Sequence, residues 1–230
     1  MKNIFLVICI LIITSCAPVY IPSAPVIFHS EERGDFSATI RRGAYSTNVQ
    51  VGVAVSDHIN VGVQGSKLRS WETTIGQTVY PGTDAQEGSV IIGYYNKITA
   101  SHTFELNGGV SALQVKYPEN INGYIKTFIQ PSMTFNKGAN KKIDVTLLSR
   151  LVGSSFIVNP KGVDSSVFQG TLEPVLNLSV GKNLKFQTQA GLSIPLTASY
   201  DTDRSPFIFN IGLTFALPYK KKAILPLASF

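Results

Sequence analysis

From Asp35 onward, apolar and polar side chains alternate with a period of two, and turn residues interrupt the alternation at intervals. Segments of this kind run Asp35 to Arg42, Asn48 to Val55, Ile59 to Leu68, Ser89 to Asn96, Ser101 to Gln114, Tyr124 to Asn136, Lys142 to Val152, Gly170 to Val180, Leu184 to Leu196 and Phe207 to Leu217. They predict ten strands and no helix. In the last, Phe207, Phe209, Ile211, Leu213, Phe215 and Leu217 share one face, opposite Asn210, Gly212, Thr214 and Ala216. In the second, Val49, Val51, Val53 and Val55 oppose Gln50, Gly52 and Ala54, and in the ninth Leu184, Phe186, Leu192 and Ile194 oppose Lys185, Gln187, Gln189 and Ser193. The apolar faces are bulky, and the polar faces are small or amide-bearing. A soluble lipocalin has the reverse economy, with its apolar face inward and charged residues outside. Bulky faces toward lipid and polar faces toward a narrow, self-filled interior fit this chain better.

The connections divide into two classes. Counting from the second strand, Ser56-Asp57-His58, Lys97 to Ala100, Lys137 to Lys141 and Gly181-Lys182-Asn183 are short, whereas Arg69 to Gly88, Val115 to Gly123, Phe156 to Gln169 and Thr197 to Pro206 are longer. Short turns on one side and long loops on the other are the habit of outer-membrane barrels, whose short turns are periplasmic. The expected fold is therefore all-β, an antiparallel up-and-down β-barrel of about ten strands over 35–217. An even strand count sets both barrel termini on the short-turn side.

The chain opens with one positive residue, Lys2, and an apolar run from Ile4 to Ile13. Such a run is a secretory signal, too short to span a bilayer stably. It closes on Ile13-Thr14-Ser15-Cys16, which resembles a bacterial lipobox. The resemblance implies cleavage of 1–15 as a lipoprotein signal peptide and acylation of Cys16, a covalent lipid being the only added group expected. Cys9 would leave with the signal peptide, so no disulfide is expected. Residues 16–34 carry Pro18, Pro22 and Pro25 without periodicity and read as a lipidated linker. No aspartate follows Cys16, which by analogy with lipoprotein sorting favours the outer membrane. The lipid is expected in the periplasmic leaflet, beside the short turns. The tail 218–230, with Lys220, Lys221 and Lys222 before an apolar end, lies beyond the last strand.

Cys16-Ala17-Pro18-Val19-Tyr20-Ile21-Pro22, the step Glu32-Arg33-Gly34, and Val51-Gly52-Val53-Ala54-Val55-Ser56-Asp57-His58-Ile59 together resemble the small lipid-anchored outer-membrane β-barrel-like proteins of Bacteroidetes-type bacteria. The resemblance implies the fold and the location, and no enzymatic mechanism.

Charged residues make up 15% of the chain, well below the roughly 25% of ordinary soluble domains, so something other than a charged surface covers the fold. The net charge of +6 becomes +5 without Lys2, and the basic residues are scattered. They form no stripe interleaved with aromatics, and a nucleic-acid partner is not expected. His29, His58 and His102 lack metal-ligand spacing, and no Gly-x-Ser-x-Gly elbow is present, so neither a metal site nor a catalytic site is expected. Glu105, Asp144 and Glu173, with Arg41, Lys126, Arg150 and Lys185, are candidates for an inward salt-bridge network, since a ten-stranded barrel is narrow and its buried charges must pair. Asp201-Thr202-Asp203 lacks the further acidic ligands of a calcium loop and reads as a solvated loop tip. Trp71, Tyr80, Tyr94, Tyr95, Tyr117 and Tyr124 are assigned to the long-loop ends, as an aromatic girdle or a partner-binding surface. The expected role is that of a non-enzymatic accessory, structural or partner-binding protein, whose partners are outer-membrane lipid and a larger outer-membrane complex. A small channel, a membrane-embedded lipid enzyme and a lipid-anchored soluble β-barrel that binds a ligand are the rival classes.

Overall fold

The computed structural model describes residues 22–29, 32–44, 46–69, 73–75, 78–80, 84–116, 121–137, 143–158, 169–196 and 207–218. Cys16, Trp71, Tyr117, Asp201-Thr202-Asp203 and 219–230 of the tail lie outside them.

The alternation folds as expected. The strands are β1 (Phe36–Gly43), β2 (Ser46–Ala54), β3 (Ile59–Arg69), β4 (Thr73–Ile75), β5 (Thr78–Tyr80), β6 (Asp84–Thr99), β7 (His102–Lys116), β8 (Ile121–Lys137), β9 (Ile143–Val158), β10 (Gln169–Gly181), β11 (Leu184–Leu192), β12 (Ile194–Pro195) and β13 (Phe207–Leu217). β4 and β5 form a separate small hairpin, and β12 continues β11 beyond Ser193 against β10. The other ten run in the order β11-β13-β1-β2-β3-β6-β7-β8-β9-β10, and β10 pairs with β11 to close the sheet into an antiparallel barrel. The closing seam joins Phe36 to Leu217 and Gly43 to Asn210, so the two ends of the barrel sequence lie side by side. A closed sheet has no edge strand, which removes the unpaired backbone row that would otherwise invite aggregation.

Polarity is inverted relative to a soluble protein. Among the described residues 33 polar or charged side chains are buried against 14 apolar ones, while 30 large apolar side chains are exposed. On β13 the six outward residues Phe207, Phe209, Ile211, Leu213, Phe215 and Leu217 are exposed, and Asn210 and Thr214 point inward. Long-loop strand ends differ. There, outward positions on β3, β6 and β7 are Lys67, Arg69, Asp84, Gln86, Gln114 and Lys116, while Leu68, Ala85 and Val115 form an inward apolar cluster with Leu113 and Tyr124 against it. Polar-out, apolar-in is the pattern of a wall standing in water. The apolar belt on these strands thus stops near Val63, Val90 and Val110.

This change of pattern also explains where strand ends depart from expectation. β6 begins at Asp84 rather than Ser89, because Gln86, Glu87 and Gly88 carry no hydrophobic alternation, and β9 runs on to Val158 beyond Val152. Tyr94 and Tyr95 require a correction. β6 descends from Asp84 at the long-loop end to Thr99, so both tyrosines lie near the short-turn end, pairing with Leu106 and Glu105. Tyr94 is exposed, and the Tyr95 side chain turns inward, with its hydroxyl donating to the Ser56 carbonyl at 2.9 Å.

Candidate functional site

The lumen of the barrel is filled by the chain's own N-terminal segment. Pro22 to Phe28, inside the stretch read from the sequence as a linker, are buried, with Ala24 and Phe28 wholly inaccessible. The linker reading is therefore corrected over 22–29: this segment is core. Its prolines keep it extended and remove backbone donors that an unpaired strand would leave unsatisfied. Extended geometry sends successive side chains to opposite walls. Val26 and Phe28 pack with Ile91 and Phe128, while Ile27 packs with Leu148, Val175 and Ile208.

With no neighbouring strand, many of the segment's peptide groups pair instead with inward side chains. The Ala24 amide donates to Asn48 Oδ1 at 3.2 Å, and the Ala24 carbonyl accepts from Gln64 Nε2 at 3.0 Å. Gln130 pairs with both peptide groups of Val26, its Oε1 accepting at 3.1 Å and its Nε2 donating at 2.5 Å. Gln50 donates to the Ile27 carbonyl at 3.0 Å, and Arg41 Nη1 to the Pro25 carbonyl at 3.1 Å. Amides suit this role because one side chain carries both a donor and an acceptor, matching a peptide group. The Phe28 ring lies against the paired glycines Gly52 and Gly62; a Cβ on Gly52 would stand 2.1 Å from its Cε1 and one on Gly62 2.5 Å.

All the charged candidates turn inward as expected. Arg150 Nε donates to Glu173 Oε2 at 2.6 Å, and its Nη2 donates to the Ser23 carbonyl at 2.6 Å, so one guanidinium ties the wall to the plug. It also lies 5.9 Å from the centre of the Phe128 ring. Lys126 Nζ pairs with Glu87 Oε2 at 2.8 Å, and Lys185 pairs with Asp144. Glu87, hidden in the stretch read as loop, is the partner that pattern reasoning missed. Arg41 is held by neutral acceptors, Gln50 Oε1 and Gln187 Oε1 at 3.1 Å each and the Pro25 carbonyl, while Glu105 accepts from Asn107 Nδ2 at 3.4 Å. At the long-loop rim, above the apolar belt, exposed Arg69 and Asp84 pair at 2.9 Å, and this hydrogen bond holds the Asp84 carboxyl below its usual range.

The histidines are not brought together. His29 sits in the lumen, hydrogen-bonded to Gln187 at 2.5 Å with Asp144 at 3.8 Å. His58 stacks on Tyr94 in a short turn, and His102 meets Phe135 edge-on at the start of β7. Among the described residues no cluster of three or more His, Cys, Asp or Glu is placed to hold a metal ion.

The direction of the plug follows from its two ends. Pro22 lines a small cavity of about 20 Å³ with Ala44, Ser46, Phe207 and Asn210, which belong to the long-loop end. His29 contacts Lys185 and Gln187, and Lys185 follows the short β10–β11 turn. The chain thus descends from the long-loop face to the short-turn face. There it reverses through Gly34, whose φ of 90° favours glycine and whose amide donates to the Ala54 carbonyl at 2.8 Å, and rises as β1. The barrel termini Phe36 and Leu217 are on the short-turn side, as expected, but the first described residue is on the opposite face.

No protein-family model matches this chain, and no curated protein matches it in sequence.

Proposed function

We propose that the chain is a non-enzymatic outer-membrane lipoprotein of the small lipid-anchored barrel type that its N-terminal segment resembles. In this reading the barrel is embedded in lipid, Cys16 carries the acyl chains, and the protein serves as an accessory or partner-binding component of the outer membrane. The observation that carries the reading is the inverted polarity: a belt of 30 exposed large apolar side chains around a polar interior. In water such a belt would be a single apolar patch far beyond the few hundred Å² that soluble monomers tolerate, whereas lipid covers it at no cost. The polar walls of β3, β6 and β7 above the belt give partners a water-facing surface. Occupation of the lumen by Pro22 to His29 supports the accessory role over a channel.

The test is extraction of the Cys16→Ala variant from membranes. An integral barrel stays in the pellet through an alkaline carbonate wash and migrates faster unheated than heated in gels. Release into the soluble fraction without detergent would overturn the reading in favour of a tethered soluble barrel.

A further inference from the structure

The position of Pro22 bears on where a lipid at Cys16 can be. Resting on the proposal that Cys16 is acylated, we infer that its acyl chains insert into the outer leaflet, at the long-loop face, and that the chain is threaded from the cell surface down through the barrel to its periplasmic end. The lipidated N-terminus and the start of β1 are then on opposite sides of the membrane.

The argument is one of reach and of room. Pro22 is at the long-loop rim and His29 at the short-turn end, so the plug crosses the barrel once, in eight residues. Fully extended, those residues span about 25 Å, the height of the apolar band of an outer-membrane barrel. Five residues lie between the position of Cys16 and that of Pro22, six steps along the chain and a reach of at most about 22 Å. To bring its lipid to the periplasmic leaflet, the chain would have to recross the band from the wrong side. Through the lumen this is blocked, since Val26, Ile27 and Phe28 already fill the space between opposite walls. Through the bilayer it would carry peptide groups across hydrocarbon with no partner. Insertion into the leaflet next to Pro22 requires neither.

A plug held only by contact could slide. This one is fixed along its length, at Ser23 by Arg150, at Val26 by Gln130 and at Phe28 by the Gly52–Gly62 niche. Pro22 and Pro25 stiffen the segment where it enters the lumen. The result is a surface tether: the lipid and the long loops share one face.

The test is cysteine labelling of intact Gram-negative cells with a charged, membrane-impermeant maleimide. The acylated wild-type chain has no free thiol, so unlabelled wild type, together with loss of incorporated palmitate analogue in Cys16→Ala, verifies acylation independently. Tyr20→Cys and Val19→Cys report the N-terminal segment, Lys116→Cys the long-loop rim and Lys182→Cys a short turn. Heat-modifiable migration of each variant confirms that it has folded. The expected result is that Tyr20→Cys and Val19→Cys label with Lys116→Cys, about tenfold or more faster than Lys182→Cys, because a charged probe crosses the bilayer poorly. Labelling that instead tracks Lys182→Cys, appearing only on permeabilisation, would overturn the inference while leaving acylation intact. N-terminal labelling at the surface without palmitate incorporation would remove the lipid but keep the threading. Surface labelling of Lys182→Cys alone would mean the barrel is inserted the other way, and would likewise overturn a surface lipid.

Discussion

The contact between Phe28 and Gly52 yields a prediction whose sign reverses with background. Gly52→Ala places a methyl 2.1 Å from Cε1 and 2.2 Å from Cδ1 of Phe28, with no other atom nearer than the same ring. Overpacking of this kind costs about 1–3 kcal/mol. Phe28→Ala empties the niche and costs about 3–5 kcal/mol. In the Phe28→Ala background the added methyl meets no ring. It regains about 0.8 kcal/mol of burial and a further 0.5–1 kcal/mol from replacing a strand glycine, so Gly52→Ala becomes stabilising. The coupling energy is then about 2–5 kcal/mol, at or above the upper end for residues in contact. Gly62→Ala is the internal control. Its Cβ meets the Val51 carbonyl at 2.6 Å as well as Phe28, so it destabilises in both backgrounds. The measurement is guanidinium unfolding of protein refolded into detergent micelles, read as the folded fraction by gel mobility. Additivity of Phe28→Ala and Gly52→Ala within about 0.5 kcal/mol would refute the placement of the plug in the lumen.

Other predictions follow from the same lumen. Arg150→Ala leaves the Glu173 carboxylate buried without its guanidinium and is expected to destabilise by about 3–5 kcal/mol, while Arg150→Met with Glu173→Gln costs much less; equal losses would show that the pair is not closed in solution. Gln130→Ala strips both peptide groups of Val26 of their partners and is expected to cost about 2–4 kcal/mol, seen as faster amide exchange at Val26 than in the wild type. Wild-type protein in planar bilayers is expected to give no conductance above background, and Ile27→Ala with Phe28→Ala to give flickering openings; steady wild-type conductance would favour the channel class. At the rim, Asp84→Asn is expected to leave the unfolding midpoint unchanged at neutral pH, since the pair is exposed. The Asp84 carboxyl is lowered by its bond to Arg69, so whatever the pair contributes is present above the ordinary carboxylate range and is lost as pH falls through the lowered value. A midpoint that weakened on raising the pH, and did so only with Asp84 present, would contradict that sign.

The wall of the barrel was legible because its two faces differ in chemistry at every second residue. Phe207 to Leu217 could hardly be read otherwise, and the inward charges Arg41, Glu105, Lys126, Asp144, Arg150, Glu173 and Lys185 fell on the polar faces of their strands. Legibility stopped where the chemistry of the outer face changes. Above the belt, Asp84 to Gly88 is strand, yet its exposed positions Asp84, Gln86 and Gly88 are not apolar, so the alternation that marks the rest vanishes and Glu87 was lost with it. The plug was illegible for another reason. Pro22 to His29 makes no ladder, so nothing constrains it to a strand-like pattern, and its apolar Val26-Ile27-Phe28 looks like any short run. A signal was nonetheless present in the wall. Asn48, Gln50, Gln64, Gln130, Gln187 and Gln189 project amides into a lumen whose backbone groups are already paired, and such a surplus of donors and acceptors needs a peptide to satisfy it.

That surplus also constrains how the molecule is made. Without the plug, Gln130, Gln50 and Gln64 lose their main partners in a low-dielectric lumen, and Arg150 loses the Ser23 carbonyl. An empty closed barrel is therefore a poor intermediate, because groups buried without partners cost about 1–3 kcal/mol each. The closing seam makes it avoidable. β1 follows the plug directly and pairs with β13 at the far end of the sequence, Phe36 with Leu217, so closure waits on the last strand. Every other strand can assemble as an open sheet with its polar face accessible, and the plug can be laid along Gln130 and Arg150 before β1 meets β13. An N-terminus acylated at Cys16, as proposed, need not then be pushed through a finished pore. On this order, variants that weaken the seam, such as Gly212→Val, whose Cβ would meet the Ile40 carbonyl at 2.3 Å, should trap an open sheet in which the plug is already protected from proteolysis. Proteolysis within 22–29 in that trapped species, with the sheet intact, would show instead that the plug enters last.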